Sequence, residues 1–201
     1  MDGITELRTL GGRIAVNCVL SKLNPDVARD MAELAQSLNV GIAFDPMEVF
    51  QGFNEEYALS LKERRRVFLD ILKLKKSGYP VLNSFEFLEH LINPAEYSCA
   101  QARVYLNVRE NGDVNPFWCL KDMRLLGNLR RQSLAEVLFS APFREFAQNT
   151  EKCCSCTNSV TTEVSMFYSI PRFLKNCFRL PNPIWEFISY YGCTPKRKRN
   201  W

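Results

Sequence analysis

The sequence predicts an α/β fold in which parallel strands and helices alternate over residues 1–94, followed by a small cysteine-rich α+β unit over residues 95–165. In the first part, short apolar runs alternate with segments of helical periodicity, which is typical of βαβ units. In the second part, an Asn-Gly dipeptide separates two segments that read as strands, which is the strongest short signal for a β-hairpin. A third segment, residues 166–201, is rich in aromatic residues and ends in a basic tail.

The first part is predicted to contain the end of one helix and then three strands, each followed by a helix. Asn24 and Pro25 suit the cap and the first position of the first complete helix, and Ser84 suits the cap of the last one. The predicted helices are residues 3–10, a helix starting at Asn24, residues 57–76 and 85–92; the strands are 14–20, 40–44 and 80–82. Three parallel strands with their helices form an incomplete barrel or sheet.

The second part is predicted to be a hairpin followed by short helices. Strands at 104–108 and 114–118 flank a two-residue turn at Asn111 and Gly112, which would place Glu110 opposite Asp113 and Val104 opposite Cys119. Ser133 and Glu136 form the pattern of a capping box, so a helix begins there. Pro142 is expected to interrupt that helix before it resumes over residues 143–148.

Composition excludes several classes of protein. The chain has 201 residues, of which 46% are hydrophobic and 24% charged, so it is globular rather than disordered. A net charge of +4 is too small to argue for nucleic-acid binding. No apolar run approaches the roughly 20 residues of a membrane span, and the N-terminal residues lack the apolar core of a secretory signal. We therefore expect a cytoplasmic protein whose eight cysteines are metal ligands or buried thiols rather than disulfides.

Four of these cysteines have a spacing that suits a metal centre. Cys99, Cys119, Cys153 and Cys156 form the pattern C-x19-C-x33-C-x2-C, with the predicted hairpin between the first two. A C-x2-C loop supplies two thiolates from one turn, and the ends of a hairpin can supply two more. Four thiolates suit an iron–sulfur cluster or a tetrahedral zinc ion equally well.

The motifs around these cysteines resemble the twitch or SPASM extension of radical S-adenosylmethionine (SAM) enzymes. The hairpin turn with Val114 and Cys119, the Gly127-Asn128-Leu129 turn, the helix start at Ser133 and the final C-x-x-C follow that family's order. The resemblance implies an auxiliary [4Fe–4S] cluster on Cys99, Cys119, Cys153 and Cys156. Four ligands match the shorter, single-cluster twitch form, since the longer form carries seven cysteines.

The upstream part resembles strands four to six of the partial (β/α)6 barrel of the same family. The resemblance implies that the fold is the C-terminal half of that barrel followed by the cysteine-rich domain. It also implies that Asn17, Phe44, Glu48 and Leu82 would hold SAM, although a buried strand residue or a loop cap is an equally good interpretation of each.

One departure from the family affects the functional prediction. The defining C-x3-C-x2-C motif of the SAM-binding cluster is absent, as are the first three barrel strands. We therefore expect a part of a longer enzyme, a protein with a wrongly assigned start, or a degenerate protein that does not cleave SAM. SAM is a cofactor only if the missing half completes the barrel.

The remaining cysteines and the single histidine are given structural roles. Cys154 could replace Cys153 as a ligand, but Cys153 gives the more usual spacing. Cys18 is expected to be an inert strand thiol, and Cys177 and Cys193 to be buried thiols. His90 is placed on a polar helix position, which leaves little basis for a histidine-dependent site. The aromatic residues after 166 are expected to cover the barrel or a subunit, with membrane contact as an alternative.

Three functional interpretations follow. The first is an iron–sulfur protein of the radical SAM class whose auxiliary cluster positions a substrate or transfers an electron, with a reductase or other electron donor as partner and an unidentified substrate. The second is an iron–sulfur electron-transfer module without SAM chemistry. The third is a binding protein stabilised by zinc.

Overall fold

The computed structural model describes residues 2–50, 52–116, 119, 122–154 and 156–169. Helices and strands alternate in the first half, and a small sheet with short helices follows. In chain order the elements are α1 (Asp2–Thr9), β1 (Ala15–Leu20), α2 (Ala28–Ser37), β2 (Gly41–Pro46), a 3-10 turn (Glu55–Tyr57), α3 (Leu61–Lys76), α4 (Phe85–Ile92), α5 (Gln101–Val104), β3 (Leu106–Val108), β4 (Asp113–Pro116), β5 (Gly127–Asn128), α6 (Leu134–Leu138), α7 (Ala141–Glu151), a π-helical turn (Ser159–Glu163) and α8 (Val164–Phe167).

The first sheet consists of β1 and β2 in parallel, with Ala15 opposite Gly41. The predicted third strand is reduced to one parallel bridge between Ile42 and Val81. Two backbone hydrogen bonds hold it: the Ile42 N–H donates to the carbonyl of Pro80 at 2.9 Å, and the Leu82 N–H donates to that of Ile42 at 2.8 Å. This bridge pairs the chain with β2 shortly before α4 begins at Phe85.

Two predicted helix starts are wrong, because the polar side chains near them form other hydrogen bonds than the predicted ones. Asn24 does not cap α2: its side chain accepts from the Ser21 N–H at 2.8 Å and donates to the Val19 carbonyl, so it closes a turn after β1. α3 begins at Leu61 rather than residue 57, because Ser60 and Glu63 form a complete capping box. The Ser84 cap of α4 is confirmed, since its side chain accepts from the Phe87 N–H.

The larger core lies between this sheet and helices α2, α3 and α4. Its fully buried members include Leu20, Ile42, Phe44 and Phe68, and Met166 of α8 packs into the same cluster. On β1 the side chains alternate, with Cys18 and Leu20 buried and Asn17 and Val19 exposed. The strand therefore has one face in this core and one face away from it.

The hairpin is present, but its register differs from the prediction by one residue. Val108 faces Val114, and the Arg109 N–H donates to the Asp113 carbonyl at 2.9 Å. Glu110 therefore does not face Asp113, and the loop has three residues with Gly112 at φ +87°. A three-residue loop needs one residue in the left-handed conformation, and Gly112 adopts it without steric cost.

Three further differences follow in the same region. Val104 belongs to the short helix α5 rather than to a strand, so it does not face Cys119. Gly127 and Asn128 add a third strand, β5, which pairs antiparallel with β4. Pro142 does not interrupt a helix but lies in the first turn of α7, where a missing N–H has no cost.

The last described elements return the chain from the second sheet to the first core. Ser159–Glu163 forms the π-helical turn, which runs directly into α8. Among the described helices none is long and apolar enough to cross a membrane. The predictions for Cys177, Cys193, the aromatic segments after residue 169 and the basic tail lie outside the described residues.

Candidate metal centre

The four predicted ligands come from three different places in the second half. Cys99 lies just before α5 and is 5% exposed, and Cys119 follows β4 and is 6% exposed. Cys153 and Cys156 follow α7, and the Cys153 N–H donates to the Thr150 carbonyl at 2.9 Å, which continues the helix end. The fold thus brings cysteines from distant parts of the sequence to one region between α5, α7 and the second sheet.

The thiols are close enough to interact electrostatically. Burial raises the pKa of Cys156 to about 12, and the charges of Cys99, Cys153, Glu48 and Cys119 contribute in the same direction. Burial also raises the pKa of Cys99, with smaller upward contributions from Cys153 and Cys119. Each of these two thiols therefore holds its proton more tightly than a free cysteine, because burial disfavours the charged thiolate and a second negative charge nearby adds to that effect.

Hydrogen bonds to the Cys99 sulfur oppose that effect. The backbone N–H of Gln101 bonds to it and lowers its pKa, and the nearby Ser165 hydroxyl has a smaller effect in the same direction, although burial remains the larger influence. The Ser165 hydroxyl accepts from the Ala100 N–H at 2.9 Å and donates its one proton to the Thr161 carbonyl at 2.6 Å. The Gln101 N–H is therefore the donor directed at Cys99, as a thiolate ligand requires.

The Cys156 backbone is fixed by two hydroxyls. The Tyr97 hydroxyl donates to the Cys156 carbonyl at 3.1 Å, and the Thr162 hydroxyl donates to it at 2.7 Å. Burial is the main cause of the raised pKa of Tyr97, which remains a neutral donor. His90 packs edge-to-face on the Tyr97 ring at 5.4 Å between centroids.

The predicted position of His90 is therefore wrong. It is 6% exposed rather than on a polar face, and its Nδ1 accepts from the Ala95 N–H at 3.2 Å. Helical periodicity places it on the outer side, but the chain after α4 folds back over it. Its role is to support Tyr97, which in turn contacts Cys156.

The segment after Cys156 is held on the carboxyl end of the first sheet by three acidic residues. The Ser159 N–H donates to Asp45 at 2.6 Å and its hydroxyl donates to the other carboxylate oxygen at 2.9 Å. Asn158 donates to Glu48. Glu163 accepts from the Ser84 N–H. The π-helical turn therefore connects the cysteine region to the α/β part.

Of the four residues predicted to hold SAM, the structure places Asn17 and Glu48 at the contacts of this segment, and Phe44 and Leu82 elsewhere in the first sheet. Asn17 is exposed and its side chain bonds to Asp45, and Glu48 accepts from Asn158. Phe44 is fully buried in the larger core, and its backbone N–H donates to the Asn83 side chain at 2.7 Å. Leu82 packs on Gly41, where an added Cβ would lie 2.6 Å from its Cδ2.

The other cysteines of the described part differ from the four. Cys154 is exposed, whereas Cys153 is half-buried and interacts with Cys99 and Cys156. Cys18 is buried in the larger core, as predicted, and burial raises its pKa. Within the described ranges, no three His, Cys, Asp or Glu side chains are arranged to hold a single metal ion.

Several residues of the region are not predictable from local sequence. Tyr97, Asp45, Glu163 and Ser165 all bond across more than 50 positions of sequence, so no local pattern marks them. A cavity of about 340 Å³ beside Cys99 is also new, with Tyr97, Arg103 and Ser165 in its wall. The predicted ligand Cys99 is part of the cavity wall.

Comparison with known proteins finds a domain family that matches this part of the chain. Residues 99–158 match the family model named SPASM, an iron-sulfur cluster-binding domain. The match begins at Cys99 and contains all four predicted ligands. No curated protein matches the chain.

The fold is similar to a solved structure of a histidine-tagged protein described as "anSMEcpe with bound AdoMet", with a TM-score of 0.53 and 13% sequence identity. The likeness covers 94% of this chain and 58% of that chain, so this chain spans less than two thirds of its length. A second structure, "Native anSMEcpe with bound AdoMet", has a TM-score of 0.47 and 14% identity, covering 86% of this chain and 57% of the other. The predicted resemblance of the cysteine-rich part to a SPASM domain is confirmed by the family match, and the first of these structures shows that the chain shares its fold with a protein solved with bound AdoMet.

Proposed function

We propose that this chain, which carries a SPASM iron–sulfur cluster-binding domain at residues 99–158, holds one [4Fe–4S] cluster on Cys99, Cys119, Cys153 and Cys156. The observation that carries the proposal is the match of residues 99–158 to an iron-sulfur cluster-binding domain, a segment that begins at Cys99 and contains all four cysteines. Four cysteines support the single-cluster twitch arrangement. The exposed Cys154 is not among the ligands.

The residues present fit such a cluster in two respects. Four sulfur donors are the ligand set that a [4Fe–4S] cluster uses. Thiols that are protonated when alone bind iron as thiolates, so binding releases their protons to solvent and its free energy adds to folding. A bound cluster would accept or donate one electron and could position a substrate, while Tyr97, Thr162 and Ser165 hold the ligand loops in place.

The α/β part belongs to the proposal as the C-terminal half of a partial (β/α)6 barrel. The parallel β1–β2 pair, the Val81 bridge and the exposed face of β1 support it. SAM chemistry would require the remaining half of that barrel, with Asn17, Phe44, Glu48 and Leu82 as the contacts from this chain. Radical generation is therefore proposed only for an assembly that supplies the C-x3-C-x2-C motif.

The proposal also includes partners and location. An electron donor such as a reductase would exchange electrons with the cluster, and the cavity beside Cys99 is a place where a substrate or that donor could come close. Because free thiols and an iron–sulfur cluster persist in a reducing compartment, we place the protein in the cytoplasm.

The experiment is anaerobic purification followed by iron, sulfide and zinc analysis, with Cys119→Ser as the test variant and Cys154→Ser as its matched control. We expect about four irons and four sulfides per chain, with an absorbance near ~400 nm that is lost in Cys119→Ser and kept in Cys154→Ser. Stoichiometric zinc without iron would instead identify a zinc-stabilised binding protein. Full iron content in a variant lacking all four cysteines would show that the ligands are wrong.

A further inference from the structure

Gln101 is a buried amide whose side chain has no hydrogen-bonding partner among the described residues. It is 2% exposed and is one of the largest fully buried side chains of that part of the chain. Neither its Nε2 nor its Oε1 has a partner there. In the part of the chain that the structure describes, it is the one side chain in which both polar atoms are buried and unpaired.

Such an arrangement is unfavourable unless something at the site completes it. Burying an amide donor without a partner costs about 1–3 kcal/mol. Asn115, a comparable buried amide nearby in sequence, uses its Nδ2 to donate to the carbonyls of Met123 and Arg124. Gln101 makes no equivalent bond, so the described chain alone does not explain its burial.

Its position indicates what the partner is. Gln101 lies two residues after Cys99, and its backbone N–H already bonds to the Cys99 sulfur. Its helix, α5, packs against α7, whose end leads directly to Cys153. The buried amide therefore lies close to Cys99 in the chain, on a helix that packs against the helix leading to Cys153. The acceptors of a cluster bound there would be sulfur atoms.

We propose that the side-chain N–H of Gln101 donates a hydrogen bond to a sulfur of the bound cluster, either a cysteine thiolate or an inorganic sulfide. The inference rests on the proposed [4Fe–4S] cluster and adds a residue that is not a ligand. A donor to cluster sulfur stabilises the more negative, reduced form and so raises the reduction potential. Gln101 is thus a positioning and tuning residue rather than a catalytic one.

The test compares Gln101→Met, which keeps the length but removes the amide, with Gln148→Met on the exposed side of α7 as a matched control. On anaerobically reconstituted protein we expect Gln101→Met to lower the midpoint potential, by up to about 59 mV, which a tenfold change in the one-electron equilibrium represents. We expect Gln148→Met to leave it unchanged. Without iron, Gln101→Met should raise the melting temperature, because the unpaired amide is gone.

A second measurement does not depend on the variant folding. Wild-type protein labelled with ¹⁵N only in glutamine side chains should show a ¹⁵N coupling to the reduced cluster in pulsed EPR spectra. An unchanged potential in Gln101→Met, or no such coupling in iron-loaded wild type, overturns the role of Gln101 and leaves the cluster standing. A wild-type protein that binds no iron overturns the proposed function together with this inference.

Discussion

The carboxylate of Glu163 accepts a hydrogen bond from the backbone N–H of Ser84, which lies 79 positions earlier in the chain. Ser84 is the N-cap of α4, and Glu163 ends the π-helical turn, so this contact joins the α/β part to the segment that follows Cys156. Both residues are buried. The positive end of the α4 dipole favours a carboxylate at this place, whereas burial opposes its charge.

This contact predicts a pH-dependent stability. Burial raises the pKa of Glu163 from the usual 4.5 to about 7, despite the opposing hydrogen bonds from Ser84 and the charge of Lys75. A raised carboxyl pKa means that the folded state binds this proton more tightly than the unfolded state does. The protonated carboxyl therefore adds to the free energy of unfolding below pH 4.5, and this contribution is lost as pH rises through 7. Compared with Glu163→Gln, wild type should lose about 1–3 kcal/mol of unfolding free energy between roughly pH 5.5 and 8.5.

Urea denaturation of both proteins at the two pH values checks this expectation. Glu163→Gln is the suitable reference because its amide oxygen can still accept from the Ser84 N–H while the side chain does not titrate. Parallel stability curves for wild type and Glu163→Gln would show that the carboxyl titrates at its ordinary pKa.

A second prediction concerns the hairpin turn. Gly112 has φ +87°, and a Cβ there would lie 2.8 Å from Arg130 Cγ and 3.0 Å from Asn128 Oδ1. Gly78 after α3 has φ +88° with nothing within 4 Å of an added Cβ. Both alanine substitutions should cost the roughly 1–2 kcal/mol of a left-handed conformation, and Gly112→Ala should cost more because of the contacts. Thermal denaturation of the two variants measures the difference, and equal losses would mean that Arg130 and Asn128 move aside freely.

How far the sequence predicts this protein depends on the range of each interaction. Ser84, the capping box at Ser133 and the α3 body follow from local hydrogen bonding and periodicity, and all are present. The sequence assigns Asn24 to a cap because cap residues and turn residues are the same types. The Asn24 side chain could cap a helix or close a turn, and it closes the turn after β1.

Of the candidate metal centre, the sequence shows only the four cysteines that are proposed as ligands. Cysteine spacing within one chain is visible in the sequence, and the family match contains all four of those cysteines. Their supports are not visible, because Tyr97 reaches Cys156 across 59 positions and Ser159 reaches Asp45 across 114. The one-residue register error arises because a two-residue and a three-residue loop both use Gly at this turn.

A third prediction tests Tyr97 as a support for the Cys156 loop. Tyr97→Phe removes the bonds from the hydroxyl to the Cys156 carbonyl and to Thr162, while the ring that packs on His90 remains. The loss should be about 0.5–1.5 kcal/mol of unfolding free energy. We also expect faster loss of iron to a chelator, because the Cys156 loop is less firmly held. Tyr79→Phe, which removes a hydroxyl bonded to Glu33, is the matched control and should leave iron loss unchanged. Unchanged iron loss in Tyr97→Phe would assign the support of Cys156 to Thr162 alone.

The last prediction concerns removal of the cluster. Among the described residues, the core beneath the second sheet has five buried members, Val114, Cys119, Leu126, Val137 and Phe146, one of which is a proposed ligand. The described part of the first core is far larger and contains no proposed ligand. Because ligand binding contributes folding free energy, chelation should open the smaller unit while leaving the larger one closed. Hydrogen–deuterium exchange before and after anaerobic chelation should show faster exchange in β3, β4 and α6 and little change in β2, α3 and α4. Equal acceleration in both units would instead mean that they unfold as one cooperative body, joined through the contacts of Asp45 and Glu163 with the opposite part.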